Sequence, residues 1–187
     1  MRSSLVSPIT LSLAALAALS ACTSMPASAP MKLFDQAALP AAVQVPTGHR
    51  VALETVGVGE ITYECRAKAN APGSFEWVFV GPKAVLNSRQ GSAIGSYFGP
   101  PATWQASDGS AITGAQVAVA PNAPGSIPLQ LVKANPATGA GAMNGISYIQ
   151  RVATQGGVAP AMPCAGDSTG KREIVKYQAD YIFWKAA

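Results

Sequence analysis

One histidine, nine carboxylates and three cysteines are what this chain offers to most catalytic chemistry, and their placing excludes more than it supports. A zinc site built from several histidines cannot be assembled around a single imidazole. A Ser-His-Asp relay would have to run through His49, which directly follows Gly48 at the start of the first apolar run; a lone histidine there reads better as a surface residue. No Gly-x-Ser-x-Gly elbow accompanies it. Gly139 and Gly141 begin a Gly-x-Gly, but Asn144 occupies the place of the third glycine and no βαβ pattern surrounds it, so dinucleotide binding fails on pattern. A Walker loop is absent, and no spacing among the acids nominates a glycosidase pair. No cofactor, no metal and no catalytic residue are therefore expected.

Binding chemistry is more local. Tyr97, Phe98 and Trp104 bracket a Gly99-Pro100-Pro101 turn, next to Asp108-Gly109-Ser110. Exposed rings beside a polar turn stack on sugars and other flat ligands; the same rings equally fill the core of a small β-domain. Arg151 lies in Tyr148-Ile149-Gln150-Arg151-Val152, on the strand face of Ile149. A guanidinium buried mid-strand needs a carboxylate or several carbonyls, and Asp108, Glu76 and Asp180 are the candidate carboxylates. Arg151 is then either half of a structural ion pair or the anion-facing group of a pocket. Tyr97, Trp104, Asp108 and Arg151 form the candidate ligand-binding set.

The elements that must position them read as β. Val51 to Val56 leads through Gly57 and Gly59 into Ile61-Thr62-Tyr63-Glu64-Cys65-Arg66, where Ile61, Tyr63 and Cys65 share one face and Thr62, Glu64 and Arg66 the other. This period-two alternation marks a half-buried strand, and Phe75, Trp77 and Phe79 repeat it. Turn signals recur at Gly81-Pro82, Gly99-Pro100-Pro101, Asp108-Gly109, Pro124-Gly125 and Gly156-Gly157. Between them lie runs at 111–120, 127–133, 146–154 and 173–184, rich in Val, Ile, Tyr or Thr. About seven to ten short strands at this spacing imply an all-β fold, a single antiparallel sandwich or barrel-like domain.

The N-terminus carries a different signal. Arg2 precedes an apolar stretch from Leu11 to Leu19, and the run ends Leu19-Ser20-Ala21-Cys22. It resembles the lipobox of bacterial lipoproteins, which implies cleavage before Cys22 and lipidation of its thiol. Residues 1–21 are then a signal peptide, 22–46 a Ser-, Ala- and Pro-rich lipid-anchored tether, and 47–187 the β-domain. Within the tether, a short amphipathic turn around Met31 to Leu39 is able to dock on the domain. Ordinary cleavage at Ala27-Ser28-Ala29 competes, although Pro30 fits poorly after the scissile bond. A retained anchor competes too, but the apolar core is far short of the ~20 residues of a spanning helix. Acyl chains on Cys22 would hold the protein on a membrane at ~0.8 kcal/mol per buried methylene. Thr23 stands where lipoproteins kept in the inner membrane of Gram-negative bacteria carry Asp. The resemblance therefore implies, for such a host, the outer membrane, facing the periplasm.

Export also bears on the remaining cysteines. Cys65 and Cys164 would meet an oxidising compartment, and a bridge between them would close a loop of ~100 residues, worth up to ~4.7 kcal/mol in the chain-entropy model. Two buried free thiols are the alternative. The net charge of +4 is spread along the chain, with Lys171-Arg172 the only adjacent basic pair. A nucleic-acid surface needs a clustered basic stripe, so no nucleic-acid partner is expected. The membrane, and an envelope protein, glycan or small molecule, are.

Several of these segments together carry a family resemblance. Tyr97-Phe98-Gly99-Pro100 with Thr103-Trp104, Asp108-Gly109-Ser110, Ile127-Pro128, Tyr148 to Val152, Gly156-Gly157-Val158-Ala159-Pro160 with Cys164, and Tyr177 to Phe183 resemble the domain-of-unknown-function 3455 family, from about Pro46 to Trp184. The resemblance implies an exported protein without an established activity. Some relatives carry a dehydrogenase label, which no nucleotide-binding pattern here supports. Ser96 stands where a histidine commonly precedes the aromatic pair, and Pro101-Ala102 lengthens the Gly-Pro-Thr-Trp turn; both departures count against an enzyme. The leading expectation is a lipid-anchored envelope β-domain acting as a binding or structural module. The second is a small-molecule or glycan-binding protein using Tyr97, Trp104, Asp108 and Arg151, and the third a metal-independent hydrolase.

Overall fold

A computed structural model describes residues 34–187 of the chain. The expected signal peptide, Cys22 and the first part of the tether lie outside the described residues. Eight strands follow one another: β1 (His49–Ala67), β2 (Phe75–Asn87), β3 (Ala93–Phe98), β4 (Thr103–Ala106), β5 (Ala111–Ala120), β6 (Leu129–Ala134), β7 (Ile146–Gly156) and β8 (Arg172–Ala186). Each pairs antiparallel with the next, and β8 returns to pair with β1, so the sheet closes into an up-and-down barrel. The all-β, barrel-like expectation holds. The strands are longer than expected at the barrel seam, where β1 runs 19 residues and β8 runs 15.

The extra length has a physical cause. Gly57 and Gly59 read as a break in the sequence, yet both lie inside β1. A Cβ on Gly57 would stand 2.5 Å from the Tyr181 ring, and one on Gly59 2.2 Å from the Lys83 carbonyl oxygen. These glycines admit close neighbours rather than ending the strand. Gly81-Pro82 likewise lies within β2, opposite Thr62 and Ile61, beside a register shift in the β1–β2 pairing. A bulge of this kind bends a strand and helps a sheet curl.

An eight-stranded barrel leaves an interior just wide enough for side chains to fill. Here Ile61, Leu86, Trp104, Ile149, Tyr181 and Phe183 are among the residues that fill it, all nearly inaccessible to solvent. A second cluster lies apart from this core. Val43 and Val45, preceding β1, pack with Leu129, Leu131, Val152 and Ile182, and Phe34 and Leu39 lean on the same cluster. Val152 and Leu131 alternate with the inward-facing Ile149 and Val132, so this cluster is on the outside of the barrel. The segment from Phe34 to Pro46, with a 3-10 turn at Ala41–Val43, is a strap held to the wall. Gln150 anchors it from a fully buried position: Nε2 donates to Val43 O at 2.7 Å and to Gln36 Oε1 at 3.0 Å, and Oε1 accepts from Trp184 Nε1 at 2.8 Å.

The connection from β7 to β8 is fastened across one end of the barrel. Cys65 and Cys164 form a disulfide with Cα atoms 5.5 Å apart, tying β1 to this connection, and Cys65 is fully buried. Tyr63 Oη donates to Gly157 O at 2.8 Å, and Trp77 Nε1 to Met162 O at 2.9 Å.

Candidate ligand site at the barrel end

Arg151 projects from β7 on the inner face, the side of Ile149, as the alternation requires. At its level in the barrel, Gln130 of β6 lies opposite it on one side and Tyr181 of β8 on the other. The side chain helps line a cavity of about 190 Å³. Tyr97 and Trp104 line the same cavity, as do Phe79, Pro82 and Val132. The β3–β4 turn, Gly99 to Ala102, contributes Gly99, Pro100 and Ala102. That turn fixes the location, since in an up-and-down barrel the β3–β4, β5–β6 and β7–β8 connections all emerge at one end.

Three residues of the candidate set therefore meet, and the fourth does not. Asp108 belongs to the β4–β5 turn, at the opposite end of the barrel. Its Oδ1 accepts from Ser110 N at 2.9 Å and Ser110 Oγ at 2.6 Å, and its Oδ2 accepts from Ala142 N at 2.7 Å. The carboxylate clamps its own turn to the β6–β7 connection. These hydrogen bonds, led by that of the Ser110 hydroxyl, hold its pKa below the ordinary Asp value.

The expected carboxylate partner of Arg151 is also absent: among the described residues no Asp or Glu forms an ion pair with it. Asp108 is engaged at the far end. Asp180 accepts from Arg89 Nη1 at 2.6 Å, and Arg89 Nε donates to Glu54 at 2.9 Å. Glu76 is exposed on β2. Arg151 instead donates from Nε and Nη2 to one carbonyl, Pro128 O, at 3.3 and 3.0 Å. The reason is topological: Asp180 faces Val152 across the β7–β8 pairing, one step out of phase with Arg151, and so belongs to the outer face.

Around the cation lies a cluster of aromatic groups. Tyr97 and Trp104 are stacked with centroids 4.7 Å apart, and Tyr181 lies 5.0 Å from Tyr97 and 5.9 Å from Trp104. Tyr177 and Tyr181 share a hydroxyl–hydroxyl hydrogen bond of 3.1 Å. Burial raises the pKa of the Tyr63, Tyr97, Tyr177 and Tyr181 phenols, and the Arg151 charge opposes the rise at all four. These phenols stay neutral at ordinary pH and do not compensate the guanidinium. Trp104 Nε1 is the one buried side-chain polar atom among the described residues without a hydrogen-bond partner, a state that costs about 1–3 kcal/mol.

The rings are thus core residues that also wall a cavity. Sequence reasoning missed Phe79, Pro82, Gln130 and Val132 as lining groups; Phe79 belongs to the Phe75-Trp77-Phe79 alternation, but nothing in the chain shows that Gln130 pairs with Arg151. His49 is at the other end of the barrel, its ring 5.0 Å edge-on from Tyr148 and its Nδ1 3.0 Å from Pro46 O. A more open groove of about 600 Å³ crosses the outside of β1–β3, lined by Val58, Val85 and Phe98 together with Glu60, Lys83 and Ser96; Lys176 already engages Glu60 there, at 3.0 Å. Among the described residues no group of three His, Cys, Asp or Glu is placed to hold a metal, and no helix is long and apolar enough to cross a membrane.

The fold and this cavity define a closed, eight-stranded antiparallel barrel with an arginine-bearing recess at one end. The chain belongs to a family described as a protein of unknown function, DUF3455, whose model matches residues 46–185. No curated protein and no solved structure matches the chain.

Proposed function

We propose that this protein is a lipid-anchored binding module of the cell envelope whose barrel-end cavity takes a small molecule. The observation that carries the binding half is Arg151, a guanidinium in an apolar, aromatic-walled recess with a single carbonyl as partner. A structural arginine sealed from water would need a carboxylate or several carbonyls; Arg151 is part-buried, has one carbonyl, and leaves its remaining N–H groups to the cavity and its mouth. The anchoring half is supported by the Leu19-Ser20-Ala21-Cys22 run.

A thermal-shift screen of the full-length protein against a small-molecule library tests the first half. The expected result is a set of compounds that raise the unfolding temperature of wild type and leave Arg151→Met unmoved; a library that moves neither protein overturns the reading. Intact-mass analysis tests the second. A diacylated or triacylated Cys22 at the mature N-terminus is expected, and an unmodified Cys22 within a longer mature chain overturns it.

A further inference from the structure

We infer that the ligand of the barrel-end cavity is a small monocarboxylate with an apolar body, an inference that rests on reading the cavity as a ligand site. The polar groups lining it are weighted toward donors. Arg151 carries five N–H donors and no acceptor, and Pro128 O takes two of them. The Trp104 ring is part of the wall, and its indole N–H, itself buried, has no acceptor in the protein. Gln130 spends one side-chain N–H on Gln116 Oε1 at 2.7 Å and keeps one N–H and its own Oε1, and the Tyr97 hydroxyl accepts as readily as it donates, so Arg151 alone tips the balance toward donors. No acidic side chain lines the space. A ligand that accepts at Arg151 and brings few donors of its own matches this set, whereas a neutral sugar brings a donor with every hydroxyl.

Among acceptors, the choice falls between a carboxylate and a phosphate. Arg151 is the only charged side chain lining the cavity. One guanidinium neutralises one negative charge, and its planar fork fits two coplanar oxygens. A dianionic phosphate would keep an unpaired charge among Phe79, Pro82, Pro100, Ala102 and Val132, at a large desolvation cost. The same walls favour an apolar body beside the carboxylate. A volume of about 190 Å³ lies below the ordinary range of ligand pockets, roughly 300–1,000 Å³, so the body is one ring or a short chain.

Trp104 provides the reporter. Trp77 Nε1 donates to Met162 O and Trp184 Nε1 to Gln150, so among the three tryptophans the Trp104 indole N–H alone has no acceptor. The full-length ¹⁵N-labelled protein is titrated with benzoate and butyrate, their neutral amides benzamide and butyramide, and inorganic phosphate. The carboxylates should shift the Trp104 indole signal saturably, with the amides and phosphate about tenfold weaker or more. Arg151→Met should abolish the carboxylate response, and Arg151→Lys, which keeps the charge without the fork, should weaken it. Amides binding as tightly as carboxylates, or phosphate displacing benzoate, would overturn the ligand class while leaving the cavity reading intact. If no compound of either series moves any cavity resonance, both readings fall.

Discussion

Arg151 and Pro128 are joined by two hydrogen bonds to one carbonyl oxygen, 3.3 Å from Nε and 3.0 Å from Nη2. The contact fixes the guanidinium against the β5–β6 connection without neutralising it. Removing the charge should therefore cost the fold little. Arg151→Met is expected to unfold within about 1 kcal/mol of wild type, because the side chain is only part-buried, forms no ion pair and directs both its hydrogen bonds to a single carbonyl. Denaturant titration checks this; a loss of several kcal/mol would make Arg151 a structural residue.

Asp108 gives a pH dependence with a defined sign. Its folded-state pKa is lowered, first by Ser110 Oγ and then by the backbone N–H groups of Ala142 and Ser110. It therefore contributes stability above the ordinary Asp pKa and loses it as pH falls through the lowered value. Asp108→Asn should reduce stability near neutrality and flatten the fall on the acid side. The slope should not vanish, since Glu64, bonded by Arg66 and Arg172, also has a lowered pKa. Thermal unfolding across the acid range measures both effects. An unchanged acid slope would deny the Asp108 clamp its role.

Gln150 governs the strap. Gln150→Leu leaves Trp184 Nε1 and Val43 O without their partner inside the outer cluster, so a loss of about 2–4 kcal/mol is expected. Limited proteolysis should then cut between Phe34 and Pro46 faster than in wild type. Unchanged cleavage would mean that apolar packing alone holds the strap.

Gly57 is a packing position. In Gly57→Ala the new methyl would lie 2.5 Å from the Tyr181 ring. Tyr181 cannot yield easily, being buried and in contact with Tyr97 and Trp104. A destabilisation of about 1–3 kcal/mol is expected from overpacking, read by chemical denaturation; a neutral substitution would show that the barrel relaxes there.

What the sequence made legible follows the reach of each signal. Alternation in Ile61-Tyr63-Cys65 and in Ile149-Arg151 is local, and it correctly turned Cys65 and Arg151 inward. Glycine is ambiguous in the same local view: Asp108-Gly109 is a turn, whereas Gly57 and Gly59 lie inside a strand because of what crosses them in space. The carboxylate expected beside Arg151 failed for a related reason. Which acid faces an inward arginine depends on the register of β7 against β8, and that register places Asp180 outside. Asp108 is near Trp104 in the chain but beyond the far end of β4, since a strand of only four residues, Thr103–Ala106, spans the short wall between them. Nothing local marks Gln150, whose partners Val43 and Trp184 are distant in the chain.

The most direct test of the ligand site uses protein isolated from its own envelope without denaturation, as wild type and as Arg151→Met, after which each sample is denatured and the released small molecules are identified by mass spectrometry. A carboxylate of one ring or a short chain, recovered near stoichiometry from wild type and missing from the variant, is the expected result. Identical small-molecule profiles from two equally folded proteins would contradict a ligand held by Arg151.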